Sequence, residues 1–137
     1  MYAHETQIRV RYGETDQMGY LYYGHYAQYY EVGRVESIRS LGLSYKELED
    51  VHGIWLPVVS LDMRFVRPAN YDDLLTVRSE IRHLPDEHLV FHVEIRNAQR
   101  KLVNAGRVRL CFFDAGTKRV VPAPEFLLMQ LRPHFSV

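Results

Sequence analysis

Cysteine is nearly absent. Cys111 is the chain's one thiol, which excludes an intrachain disulfide and a thiolate metal cluster. Neither sign of charge is in surplus, since 17 basic side chains balance 17 acidic ones. A protein held to nucleic acid by phosphate neutralisation is therefore not expected, although a local basic patch stays open. No apolar run approaches the ~20 residues that cross a bilayer. Met1–Glu5 carries neither a basic head nor an apolar core, so neither a signal peptide nor a membrane span is expected. What is present is 137 residues with 47 % hydrophobic content. That is the size and composition of one soluble folded domain over 1–137, expected in the cytoplasm.

Five runs alternate apolar and polar residues as half-buried strands do. The first holds Thr6, Ile8, Val10 and Tyr12 on one face. The others hold Val59, Leu61, Met63 and Phe65; Leu75, Val77, Ser79 and Ile81; Leu89, Phe91, Val93 and Ile95; and Val108, Leu110 and Phe112. Short breaks separate the last four, at Pro68–Asp73, Pro85–Glu87 and Asn97–Arg100. Connections that short favour antiparallel hairpins over crossovers.

From Gly24 to Leu41 the period changes. Tyr23, Tyr26, Ala27, Tyr30, Arg34, Ser37, Ile38 and Leu41 share one helical face, and Gly42 suits the stop beyond it. Ser44 and Glu47 form a capping box that predicts a short helix over 45–51. Pro124 followed by Phe126–Leu131 predicts a third helix, ended before Pro133. The order of elements implies an α+β fold, a five-stranded antiparallel sheet curled around one long central helix. One helix covers only one face and leaves edge strands open, which predicts a homo-oligomer.

The least ordinary segment is Arg11–Tyr26, RYGETDQMGYLYYGHY, which joins the first strand to the long helix. Its plain reading is a loop with turn glycines and aromatic packing, in which Asp16 caps a turn. Its functional reading places the Asp16 carboxylate before a helix start. The unsatisfied N–H groups of residues such as Tyr23 and Gly24 can stabilise developing negative charge there.

Tyr12–Gly19, with Tyr23, Tyr26, Glu31 and Arg34 following, resembles the hotdog-fold acyl-CoA thioesterases of the 4-hydroxybenzoyl-CoA thioesterase type. The subgroup it is most similar to includes the Tol–Pal-associated acyl-CoA thioesterases. The likeness continues through Phe65–Asp73, with its Pro-Ala turn, and so spans most of the chain. It implies a hotdog fold and hydrolysis of an acyl-CoA, either short to medium chain or aromatic. It implies no cofactor, because coenzyme A enters as part of the substrate. It also implies a homodimer or homotetramer with sites at subunit boundaries. The family's catalytic aspartate falls on Asp16, and its oxyanion-polarising backbone N–H falls on Tyr23, with Gly24 beside it. The subgroup usually has His where this chain has Tyr23, and many relatives have Asn at the position of His25. A backbone role tolerates any residue except proline. Asp16 as nucleophile and Asp16 as general base both remain open.

Other groups carry less. Glu31 and Arg34 are spaced as a helical ion pair, and Glu31 is also the candidate for a second carboxylate. His88 and His92 lack a third ligand for a metal, and Cys111 reads as a packed thiol. Arg64, Arg67, Arg78, Arg82, Arg96, Arg107 and Arg109 alternate out of the apolar face; they read as a solvated surface, and guanidinium groups of this kind also suit coenzyme A phosphates. The competing function is a non-catalytic hotdog module that binds an acyl or aromatic ligand. A hotdog dehydratase would need a histidine and an acid placed differently.

Overall fold

The computed structural model describes residues 1–135. Strand β1 (Tyr2–Arg9) leads through a loop and a 3-10 turn (Tyr23–His25) into helix α1 (Tyr26–Ser40). Helix α2 (Tyr45–Asp50) follows, then β2 (Ile54–Trp55), β3 (Val58–Phe65), β4 (Leu74–Ile81), β5 (His88–Arg96), β6 (Leu102–Asp114), β7 (Arg119–Val121) and helix α3 (Glu125–Leu131).

The five expected strands are all present, and two short ones, β2 and β7, pair with the far end of the long β6. The sheet therefore has seven strands rather than five, in the order β1-β4-β5-β6-β2 with β3 and β7 also on β6. Every pairing is antiparallel. The curl brings the inner faces of β4, β5 and β6 around α1, which is the hotdog arrangement. Leu75, Val77, Phe91, Ile95 and Leu110 line it at 0 % exposure. Burying each such side chain contributes roughly 1.5–3 kcal/mol relative to leaving it exposed.

One expected hairpin is absent. Strand β4 takes β1 on its other side, so β3 has only the far side of β6 to pair with. Residues 66–73 then cross the open end of the curled sheet instead of reversing tightly. They begin on Val103, whose carbonyl accepts from Val66 N–H at 2.9 Å, and finish on Val10, whose carbonyl accepts from Asp72 N–H at 3.0 Å. This crossing lies against the Arg11–Tyr26 segment.

The first strand also starts and stops earlier than its periodicity suggested, because Tyr12–Glu14 winds into a 3-10 turn. The helix begins as 3-10 geometry at Tyr23 and becomes α-helical at Tyr26. Its buried face is Tyr26, Tyr29, Tyr30, Gly33, Arg34, Ser37 and Ile38. Ala27 and Tyr23 lie off that face, and Tyr23 is 66 % exposed. Gly33 allows the helix to close on β4, since a Cβ there would stand 2.7 Å from Val77 Cγ1 and 2.9 Å from Ser79 Oγ. The α2 cap forms as its sequence implies, with Ser44 Oγ accepting from Glu47 N–H at 3.1 Å. No helix among the described residues is long and apolar enough to cross a membrane.

Candidate active site

Asp16 sits half-buried in a tight loop of its own making. Its Oδ1 accepts from the N–H groups of Met18 at 2.9 Å and Tyr20 at 3.1 Å. Its N–H donates to Tyr20 O at 2.8 Å, and its carbonyl accepts from Gly19 N–H at 3.0 Å. Gly19 has φ +82°, the left-handed geometry that closes such a turn at little steric cost. The other carboxylate oxygen, Oδ2, takes no hydrogen bond among the described residues. The plain and functional readings of Asp16 are thus compatible, because one oxygen builds the turn and the other is left over.

Two neighbours brace this loop. The residue 66–73 crossing meets it through Leu21 N–H to Ala69 O at 2.7 Å, and through Tyr71 N–H to Gly19 O at 3.3 Å. Ala69 is fully buried there. From the other side, Tyr22 N–H donates to Glu14 O at 2.9 Å.

The helix start follows at once. In the Tyr23–His25 turn the first bond runs from His25 N–H to Tyr22 O at 2.9 Å. The N–H groups of Tyr23 and Gly24, which precede it, have no partner within the turn, as at any helix start. Gly24 keeps the approach narrow, for a Cβ on it would stand 2.7 Å from the Tyr22 ring. Around this opening lies an aromatic group. The Tyr23 ring is 4.7 Å from that of Tyr22 and 6.5 Å from Phe65, and Phe65 is 5.4 Å from Tyr26. Burial pushes the Tyr26 hydroxyl up to about 12, so it stays protonated near neutral pH.

The chain brings Asp16, Tyr23 and Gly24 into one hydrogen-bonded segment. Glu31 stands apart from it, exposed on α1. The expected Glu31–Arg34 ion pair is not formed: Arg34 is buried at 8 % exposure, its Nε has no partner, and no ion pair of either residue occurs among the described residues. No group of three metal-ligating side chains occurs among the described residues. His88 is bonded to Arg109 at 3.2 Å. His92 is held below its ordinary value by burial and by the Arg82 and Arg107 charges. Cys111 is a buried free thiol. Most of the outward arginines are engaged. Arg78 and Arg82 clasp Glu80, Arg96 holds Glu94, Arg107 faces Asp62, and Arg67 donates to Leu102 O.

Glu14 and Phe65 also belong to this region, and the sequence did not single out either as a site residue. Glu14 had one sequence clue, its place two residues before Asp16 in a turn-rich stretch. Phe65 looked like any inward residue of a strand.

Comparison with known proteins identifies the family of the chain. The family model described as the thioesterase-like superfamily matches residues 10–131. The acyl-CoA thioester hydrolase YbgC of Escherichia coli O6:H1 is 31 % identical over 125 residues, covering 91 % of this chain and 92 % of its own. YneP of Bacillus subtilis is 32 % identical over 112 residues, 81 % of this chain and 80 % of its own. The structure of a DHNA-CoA thioesterase from Staphylococcus aureus superposes with a TM-score of 0.83 at 27 % identity, over 100 % of this chain and 97 % of that one.

Proposed function

The chain belongs to the thioesterase-like superfamily, and from that membership we propose its reaction, its working residues and its assembly. It is an acyl-CoA thioesterase: water and an acyl-CoA give a carboxylic acid and free coenzyme A. The observation that carries this reading is Asp16, locked through Oδ1 in the same braced loop that ends in the unpartnered amides of Tyr23 and Gly24. The Tyr23 N–H, with Gly24 beside it, receives the thioester oxygen and stabilises the charge that develops on it. Asp16 acts through Oδ2, either attacking the thioester carbon or taking a proton from the attacking water. The carbon–sulfur bond then breaks and coenzyme A leaves as a thiolate; after direct attack, water opens the aspartyl–acyl anhydride to release the acid and restore Asp16, and after general-base attack the acid is formed at once. The steps call on no metal and no redox cofactor.

The acyl group is short to medium in chain length, or aromatic. Tyr12, Tyr22, Tyr23, Phe65 and Tyr71 present apolar rings around the opening, all more than 40 % exposed in the single chain. Arg67, two residues beyond Phe65 and with its guanidinium bonded only to the Leu102 carbonyl among the described residues, is the arginine we assign to coenzyme A phosphates.

The protein works as a homodimer at least, and in the cytoplasm. Strand β3 has β6 on one side only, and its Val58, Val59, Leu61 and Phe65 are 41–57 % exposed. Such an edge is a template for a second copy. Antiparallel self-pairing centred on Met63 sets Asp62 opposite Arg64 of the second copy, so the seam is charge-complementary under two-fold symmetry. Phe65 then carries the seam to the site.

Thiol release tests the reading. A panel of benzoyl-, butyryl-, octanoyl- and palmitoyl-CoA is followed with a chromogenic thiol reagent. The expected result is turnover of benzoyl-CoA or of the shorter chains in preference to palmitoyl-CoA. No release from any thioester would leave a ligand-binding module instead.

A further inference from the structure

Glu14 touches three parts of the site at once. Its carbonyl accepts from Tyr22 N–H at 2.9 Å, directly before the Tyr23–His25 turn. Its Oε1 accepts from the Tyr29 hydroxyl at 2.7 Å, one turn into α1, and from Arg11 N–H at 3.0 Å. Asp16 follows two residues later in the chain. The Tyr29 contact is well sheltered, since Tyr29 is 2 % exposed and the Glu14 side chain 17 %. The Arg11 guanidinium lies 4.0 Å away with 69 % of its side chain exposed, so solvent screens it and it contributes little. A carboxylate held by a buried hydroxyl is a charge-assisted bond, among the stronger kinds.

We infer that Glu14 is a positioning residue for the thioesterase reaction. It fixes the separation between the Asp16 carboxylate and the Tyr23 and Gly24 amides by tying the loop to α1 through its side chain and to Tyr22 through its main chain. This rests on the thioesterase reading above. The two tethers act at different points, so the loop can neither slide along the helix nor tilt from it. Burial and the Glu14 carboxylate both raise the Tyr29 hydroxyl above its ordinary value, so Tyr29 remains a donor throughout the neutral range. Misplacement of reacting groups by about 1 Å can cost on the order of 10²-fold in rate, which sets the scale of what the clasp protects.

Tyr29→Phe isolates the clasp, because it removes the hydroxyl and leaves the Arg11 N–H bond to Glu14 in place. Expected for the folded variant is a fall in kcat of about 10- to 100-fold, with KM within about threefold of the parent. Glu14→Ala should lose a similar factor. Glu14→Gln keeps an acceptor oxygen for Tyr29 and should recover most of it. The Tyr29→Phe/Glu14→Ala double variant should be no slower than Glu14→Ala alone, because Glu14→Ala already removes the bond that Tyr29→Phe removes. Amide exchange at Tyr22 gives a readout independent of turnover and should quicken in Tyr29→Phe. Wild-type protein without thiol release would fail the thioesterase reading and not the clasp, which the exchange rates still decide. A folded Tyr29→Phe with the parent's kcat, or one altered in KM alone, overturns the positioning role. If Glu14→Ala does not fold, Tyr29→Phe and Glu14→Gln decide the matter by the same criteria.

Discussion

Replacing Asp16 by Asn separates what its two oxygens do. An amide oxygen can take the Oδ1 place and still accept from Met18 and Tyr20, whose bonds to Asp16 are 2.9 and 3.1 Å. The NH2 group must then occupy the Oδ2 place, since the opposite orientation would set donors against donors. Neutral bonds are weaker than charged ones by about 1 kcal/mol each. The loss from two bonds is thus at most about 2 kcal/mol, a drop of roughly 6 °C or less for a chain of this size. Activity should suffer far more. Without a carboxylate at Oδ2, kcat should fall by about 10²- to 10⁴-fold, equivalent to about 2.7–5.5 kcal/mol of barrier. Asp16→Ala supplies the contrast, because it loses the turn as well as the charge and should melt lower than Asp16→Asn. A purely turn-forming aspartate predicts the reverse pattern: Asn close to the parent in thiol release, and Ala impaired. Folded Asp16→Asn within about threefold of the parent's kcat would refute the catalytic assignment, and Glu31 would be the next carboxylate to replace.

Gly33→Ala drives a methyl into Val77 and Ser79; overpacking of this kind costs typically ~1–3 kcal/mol, read as a lowered urea midpoint, and an unchanged midpoint would mean that α1 does not lie so close to β4. Burial raises the Glu80 pKa, but the bonds from Arg78 and Arg82 outweigh it and hold the carboxyl below its ordinary value of 4.5. The stability that follows is present above that value and disappears as pH falls through the depressed folded one. Glu80→Gln should therefore destabilise the protein at neutral pH, by about 1 kcal/mol or less after solvent screening. The difference should vanish once pH has fallen below the depressed folded value; a gap independent of pH would show that the charge is not its cause. Asp62→Arg sets arginines opposite one another across the proposed β3 seam and should raise the monomer fraction in sedimentation at micromolar protein. Adding Arg64→Asp should restore the dimer, and a dimer indifferent to both changes would exclude this register.

How much was readable in advance depended on whether a residue's role was local. The strand cores and the Ser44 cap follow from period and spacing, which depend on near neighbours alone. The place of β3 does not. Its pairing is decided by β1 occupying the edge of β4, a contact between segments far apart in sequence. Tyr23 leaves the helical face it shares by spacing because its turn is 3-10, which rotates its side chain away from the α-helical phase. Asp16 and the helix start stood out through a motif that resembles a known family. Glu14 was not, because its partner Tyr29 lies 15 residues away and only the folded loop brings them together. Arg34 was legible as helical and inward, and its lack of a carboxylate partner could be seen only in the structure.

The two amides on Asp16 Oδ1 also make the carboxylate's oxygens distinguishable in time. Rotation about the bond to the carboxyl carbon would break both hydrogen bonds, so the same oxygen faces the substrate in successive cycles. If Asp16 attacks directly and water then opens the anhydride at the aspartyl carbon, each cycle hands that oxygen to the product acid and refills the position from solvent. In heavy-oxygen water the first product would be unlabelled, and every later one would carry a single heavy oxygen beside its original carbonyl oxygen. A carboxylate that turned freely would blur this step, yielding half-labelled acid in the second cycle and approaching completion only gradually. On that route, and with both bonds intact between cycles, the loop would act as a one-place register of the previous turnover, and product mass, counted cycle by cycle, would read it out.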